Sequence, residues 1–268
     1  MDLMRINIVK AFITATIAML SLNAANAAVT KVEGLTGQQI AEKVAAMEDG
    51  YVGESRKLKF LIYDANNNET VREMEYFAKQ YENRFDRSIV KFTYPAQLNG
   101  VRLLTHSKGA DDDDQWLFLP SIKKVKRIAT SNKSGAFMGS ELAYEDISIR
   151  QLEKYQRILL GSEIIDGVES YVIERTPIKA NSGYSKQIIW RDQTNLLEIK
   201  TEFYDRKGDL LKVRKSMDWK KFGKYWRAQT VEVFNVQTNK RTVMELSEIK
   251  LFEDFDNVNF TPRRFQRF

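Results

Sequence analysis

The 268-residue chain contains no cysteine, a single histidine (His106) and only four prolines. The absence of cysteine removes disulfides, thiolate nucleophiles and thiolate metal sites, so stability has to come from a buried core whatever the redox state of the compartment. One imidazole rules out histidine-rich metal sites and any catalytic array needing a second ring. Sparse proline, with no Pro-rich or Ser-rich stretch, leaves no linker at which to divide the chain. Gly-x-Ser-x-Gly, Walker and Gly-x-Gly-x-x-Gly motifs are all missing. The expectation is a protein that binds rather than catalyses, with no catalytic residues, no metal and no cofactor.

The N-terminal residues read as an export signal. Arg5 and Lys10 supply positive charge, Ala11–Leu22 is uncharged and apolar, and Ala25-Asn26-Ala27 has the small-residue pattern of a cleavage site. A retained anchor needs roughly 18 apolar residues and this stretch has twelve. Cleavage after Ala27 is expected, leaving residues 28–268 as one domain. That loss removes Arg5, Lys10 and Asp2, so the net charge of +6 becomes +5. In an exported protein this basic balance fits a lipid headgroup or membrane surface rather than nucleic acid, although scattered solvating lysines account for most of it.

Thr36 and Gln39 form a capping box, and Ile40, Val44 and Met47 recur at helical spacing up to Gly50, which predicts a short amphipathic helix over 36–49. From Ser55 the period becomes two. Leu58, Phe60 and Ile62 alternate with Lys57, Lys59 and Leu61, and the Asn66-Asn67-Asn68 turn leads into Val71, Met74 and Tyr76, so residues 55–94 read as three antiparallel strands. Beyond residue 158, Asp166-Gly167 is a two-residue hairpin turn. Further turns fall at 192–195, 206–209, 222–224 and 237–240. The expected fold is mainly β with some α: one large, curved antiparallel sheet of about ten strands, covered on one face by a few helices at 36–49, near 146–157, and in short turns near 95–99 and 120–123. A sheet packed only by its own side chains is the alternative.

His106 reads as a partly exposed strand-end residue. The Asp111–Asp114 run lacks the alternation of a calcium loop and reads as a solvated hairpin loop. Glu141 and Glu145, four apart, read as helix-surface carboxylates rather than an acid–base couple. More unusual is the stretch Pro95–Ile147. There Trp116, Leu117, Phe118, Leu119 and Pro120 run into the basic residues Lys123, Lys124, Lys126 and Arg127, followed by a glycine-punctuated loop holding Phe137 and Met138 between Gly135 and Gly139. The basic run suits an anionic headgroup or an acidic docking partner, and equally the polar face of an exposed strand protected from aggregation. Phe137 and Met138 suit a mobile flap over a greasy ligand, or insertion into the protein's own core.

These same residues carry a resemblance. Asn99-Gly100-Val101-Arg102-Leu103-Leu104, then Gln115 to Pro120 with the basic run, then Phe137-Met138-Gly139-Ser140-Glu141-Leu142-Ala143-Tyr144-Glu145-Asp146 resemble the outer-membrane lipoprotein-sorting-protein family, which is similar to the periplasmic lipoprotein carrier LolA. The resemblance extends through the Trp219–Asn235 hairpin to Asn259-Phe260-Thr261-Pro262. It implies a half-open β-barrel with a helical lid, an apolar cavity for lipid or lipoprotein acyl chains, a periplasmic location, and pairing with an inner-membrane transporter of the resistance-nodulation-division (RND) superfamily. Expected cavity and lid residues are Phe60, Ile62, Trp116, Phe118, Phe137, Met138, Tyr144 and Trp190. Lys123, Lys124, Lys126 and Arg127 would meet a headgroup or partner. The rival reading is an accessory subunit that docks on a transporter and carries nothing. A carboxylate-based hydrolase, resting on Glu141, Glu145 and the Asp run, has no motif behind it.

Overall fold

A computed structural model describes residues 34–81, 86–147 and 152–268. The export-signal reading of residues 1–27 therefore lies outside the described residues. Helix α1 (Gly37–Met47) begins where Thr36 accepts from the Gln39 backbone N–H and Gln39 caps in return, and its buried Ile40 anchors it.

Fifteen strands follow: β1 (Gly53–Tyr63), β2 (Glu69–Lys79), β3 (Arg87–Tyr94), β4 (Arg102–Lys108), β5 (Asp111–Leu119), β6 (Lys124–Arg127), β7 (Tyr155–Ile165), β8 (Val168–Pro177), β9 (Tyr184–Asp192), β10 (Glu198–Asp205), β11 (Leu210–Met217), β12 (Lys220–Phe222), β13 (Tyr225–Arg227), β14 (Thr230–Asn235) and β15 (Lys240–Leu251). Thirteen of them form one unclosed antiparallel sheet in the order β6-β5-β4-β3-β2-β1-β15-β14-β11-β10-β9-β8-β7, and β12–β13 is a separate hairpin.

The order follows from short turns. Asp166 and Gly167 both hold positive φ, the geometry a two-residue hairpin between β7 and β8 needs. Asp64 accepts from the backbone N–H groups of Asn66 and Asn68 and fixes the β1–β2 turn. One long-range pairing joins the two meanders: β1 lies against β15, with Phe60 opposite Met244. The first and last strands therefore meet at the centre of the sheet. Both free edges, β6 and β7, come from the middle of the chain, and the connection between them has to cross one face.

Three expectations change. The sheet has thirteen strands rather than about ten. The Asp111–Asp114 run is no solvated loop but the first half of β5, paired to β4 with Asp114 opposite His106. The stretch near 146–157 is not a helix: 3-10 turns at Tyr144–Ile147 and Leu152–Lys154 flank residues outside the description, and Tyr155 already opens β7. The Asp166-Gly167 hairpin pins 155–165 to β8, so sheet pairing overrides the apolar spacing that suggested a helix. Glu141 lies outside any helix and Glu145 sits in the single 3-10 turn Tyr144–Ile147, so the two do not share the surface of one helix.

Candidate functional site

Strand register divides the first half of the sheet into two faces. On the inner face, Leu58, Phe60 and Ile62 of β1 stand beside Met74 and Tyr76 of β2, Phe92 of β3, Leu103 of β4 and Val233 of β14 in one apolar cluster. The connection between the sheet's edges lies over them. Phe137 (1% exposed) and Leu142 (4%) insert into this cluster, Phe137 packing on Phe92 at 5.8 Å and on Tyr144 at 5.4 Å between ring centroids. The insert is a compact hairpin: the Phe137 N–H donates to Leu142 O at 2.6 Å, and the Ser140 hydroxyl donates to Phe137 O at 2.7 Å. Its tip needs left-handed backbone at Met138 (φ 51°) and Gly139 (φ 82°), which only glycine adopts without strain. We call residues 128–147 the plug.

The plug's other side is polar and tied to the second half of the sheet. Buried Lys212 of β11 donates to Asp146 at 2.7 Å and to Glu141 O at 2.8 Å, while the Tyr184 hydroxyl donates to Asp146 at 2.9 Å. Glu145 accepts from the Gly183 N–H and the Ser182 hydroxyl, both at 2.8 Å. Burial pushes the Asp146 carboxyl up, but the Lys212 ammonium outweighs this and holds its pKa below the usual carboxylate range. Glu145 pairs with no cation among the described residues, and burial raises its pKa. Burial likewise drives the Tyr184 hydroxyl well above its ordinary value, with Asp146 adding to the effect.

Further along the same face the Glu198 side chain is only 13% exposed, and its pKa is held down at about 2: burial opposes ionisation, but Arg214 and Arg191 beside it win. Arg191 is 3.0 Å away and Thr201 donates at 2.8 Å. An apolar first half and an ionic second half thus share one face, with the plug bridging them.

The open side of the sheet is fastened by the acidic run. Asp111 pairs with Lys179 at 3.0 Å, Asp112 accepts from Asn181 at 3.2 Å and Asp113 pairs with Lys154 at 2.5 Å, while the Lys133 ammonium donates to Asp113 O. These contacts join β5, the second strand of thirteen, to Lys154 just before β7, the thirteenth, and to the segment that follows β8, the twelfth. Beside this clasp is a polar cleft of about 70 Å³ lined by Asp113, Lys133, Glu145 and Lys154. Another, of about 60 Å³, lies between α1, the β9–β10 turn and the β12–β13 hairpin, against Trp219 and Trp226. Sites for small organic ligands are typically about 300–1,000 Å³. On the apolar face the space over the cluster is taken by Phe137 and Leu142 of the plug.

The structure separates the residues singled out in the sequence. Phe60, Ile62, Phe137, Met138 and Tyr144 come together on the inner face. Phe118 and Trp116 point to the outer face, where the C-terminal segment covers them through Phe260 and Phe265. Trp190 lies on the outer face of the second half with Val172 and Ile188, its indole N–H donating to Glu163 at 2.8 Å. Lys123, Lys124, Lys126 and Arg127 are exposed on and beside the edge strand β6. His106 is not at a strand end: its ring meets Trp116 edge-to-face at 4.8 Å and its Nε2–H donates to Phe260 O at 2.7 Å. Burial lowers its pKa to about 4, so the ring is neutral near pH 7. Sequence reading missed the Lys212 and Tyr184 clamp and the partners of the Asp run. Nothing local signals them, since Lys212 and Asp146 are 66 residues apart. Among the described residues no group of three His, Asp or Glu side chains could hold a metal ion.

Comparison with known proteins gives the lineage. A family model described as an uncharacterized protein family matches residues 84–267. No curated protein sequence matches. Among solved structures, an outer membrane lipoprotein-sorting protein domain from Vibrio parahaemolyticus is 37% identical, with TM-score 0.84, over 86% of this chain and 98% of that one. A DUF1329 family protein from Desulfovibrio piger is 26% identical, with TM-score 0.80, over 84% and 95% of the two chains. A LolA superfamily protein from Nitrosomonas europaea is also 26% identical, with TM-score 0.70, over 85% and 98%. A fold shared along nearly the whole of these relatives, with 37% identity to the first, places the chain in the outer membrane lipoprotein-sorting protein family of the LolA superfamily.

Proposed function

We propose that the protein is a periplasmic carrier whose apolar inner face takes the acyl chains of a lipid or lipoprotein in place of the plug, and delivers them toward the outer membrane. The observation that carries this is the insertion of Phe137 and Leu142, on a hairpin with a glycine at its tip, into an apolar face they do not themselves build. Burying one methylene contributes about 0.8 kcal/mol, so ten give on the order of 8 kcal/mol before entropy reduces it. Withdrawing Phe137, Leu142 and Met138 costs about 1.5–3 kcal/mol each. The two terms are of similar size, so plug and cargo can exchange without either state being a trap. Phe60, Ile62, Met138 and Tyr144 line the vacated face.

In this reading residues 1–27 are the export signal, residues 28–268 are a single cargo-binding domain, and no reaction is catalysed. Loading is driven by an inner-membrane transporter of the RND superfamily. Native mass spectrometry of the protein purified from its envelope compartment, followed by solvent extraction, tests the proposal: a stoichiometric acyl lipid is expected. The plug's occupation of the inner face favours one rival, an accessory subunit that docks on a transporter and carries nothing. A ligand-free mass with no uptake from added lipid would establish that rival.

A further inference from the structure

The β5–β6 turn, β6 and the C-terminal segment share a property the apolar site does not use. Residues 119–128 and 257–268 contain no Asp or Glu. They carry Lys123, Lys124, Lys126, Arg263, Arg264 and Arg267, all exposed, and none of the six is ion-paired among the described residues. Arg127 differs, because Asp114 neutralises it. Packing unites the two segments: Phe265 is fully buried and meets Phe118 at 6.5 Å, and Val125 of β6 packs against the same cluster. Lysines of the sheet edge and arginines of the C-terminal segment therefore belong to one end of the molecule. At its tip Ile122 is 50% exposed, held beside Lys123 by the left-handed backbone of that residue (φ 51°).

We propose that this end docks onto a bilayer containing anionic lipid, with Ile122 entering the headgroup layer between lysines. The inference rests on the carrier reading, since a carrier must reach a membrane to collect or deliver its cargo. The charge pattern favours a lipid surface over an acidic protein. Six unpaired cations on two segments, with an isoleucine at the tip, match a diffuse sheet of negative charge over an apolar layer. A four-residue edge strand whose side chains alternate with lysine also discourages strand addition by a protein.

The test is co-sedimentation of the purified protein with vesicles of phosphatidylcholine alone, or of phosphatidylcholine mixed with phosphatidylglycerol, at low and high salt. Binding to the mixed vesicles only, weakened by salt, is expected. Lys123→Glu/Lys124→Glu/Lys126→Glu should lower it by about a hundredfold. Ile122→Ser, which leaves the charge unchanged, should lower it less. A control that reverses three exposed charges elsewhere, Lys207→Glu/Lys220→Glu/Lys240→Glu, should leave it unchanged, and circular dichroism verifies that each variant is folded. Equal binding to neutral vesicles, no binding to either kind, or equal loss in the control overturns the proposal. Lipid retention read by mass spectrometry separates the two ideas: vesicle binding by a protein that never carries lipid leaves this surface standing and removes the carrier.

Discussion

Phe137 and His106 show how single side chains set the properties of this protein. Phe137 is 1% exposed, in an apolar cluster, so Phe137→Ala leaves a cavity and should cost about 3–5 kcal/mol in denaturant unfolding while speeding uptake of a fluorescent fatty acid. A loss of stability with no change in uptake would mean that the hairpin is fixed core rather than a movable plug. His106 makes stability depend on pH. Its folded pKa of about 4 lies below the unfolded value near 6.5, so only the unfolded chain gains the proton between those values. Stability from the neutral ring is fully present above pH about 6.5 and is lost as pH falls toward 4. Glu198, held at about 2, acts only below pH about 4.5. In His106→Phe the fall in melting temperature between pH about 6.5 and 4.5 should therefore flatten, as thermal scans across that range will show. At this scale the inner-face set was partly legible. Alternation identified Phe60 and Ile62, and flanking glycines identified Phe137. Trp116 and Phe118 alternate just as well, but their face is decided by the pairing of β5 with β4, which no local pattern contains.

Between elements, two devices hold the plug and the open side, and they differ in how they respond to solvent. The Lys212–Asp146 pair is buried on both sides, so Lys212→Met strands a carboxylate in the interior and should cost about 3–5 kcal/mol. Adding Asp146→Asn should recover much of that loss, and a double-mutant cycle measures the coupling. The clasp at Asp111–Asp113 is partly wet and partly salt-screened, with pairs such as Asp111–Lys179 largely exposed. Replacing the three aspartates by asparagine should raise the release rate of a bound fluorescent fatty acid by about three- to tenfold and abolish its dependence on salt. Unchanged release at both ionic strengths would show that the sheet's open side is not a gate. The Asp run was visible in the sequence as a block of charge, yet its role was not. Its partners Lys154, Lys179 and Asn181 lie 41 to 69 residues away and meet it only after the sheet has curved.

For the whole molecule, the connection between the sheet's free edges is the organising fact. A chain whose first and last strands pair at the centre has both edges in its middle, and the plug, residues 128–147, lies over the face on which cargo is proposed to lie. By itself the sequence determined the mainly β character, most turns of the second half and the capped helix α1, because alternation, Asn-rich and Asp-Gly turns and the Thr36–Gln39 box act over a few residues. The count of strands and the strand character of Asp111–Asp114 and of Tyr155–Arg157 came instead from pairing across the sheet. It also determined that chemistry built on cysteine or on more than one histidine has no place here. Tertiary structure alone decided that β1 meets β15, that Trp190 faces away from the plug, and that Asp146 finds Lys212. A period of two places side chains on alternate faces without saying which face is buried or against what. That choice is made cooperatively by register across thirteen strands, where a slip of one residue exchanges inside for outside.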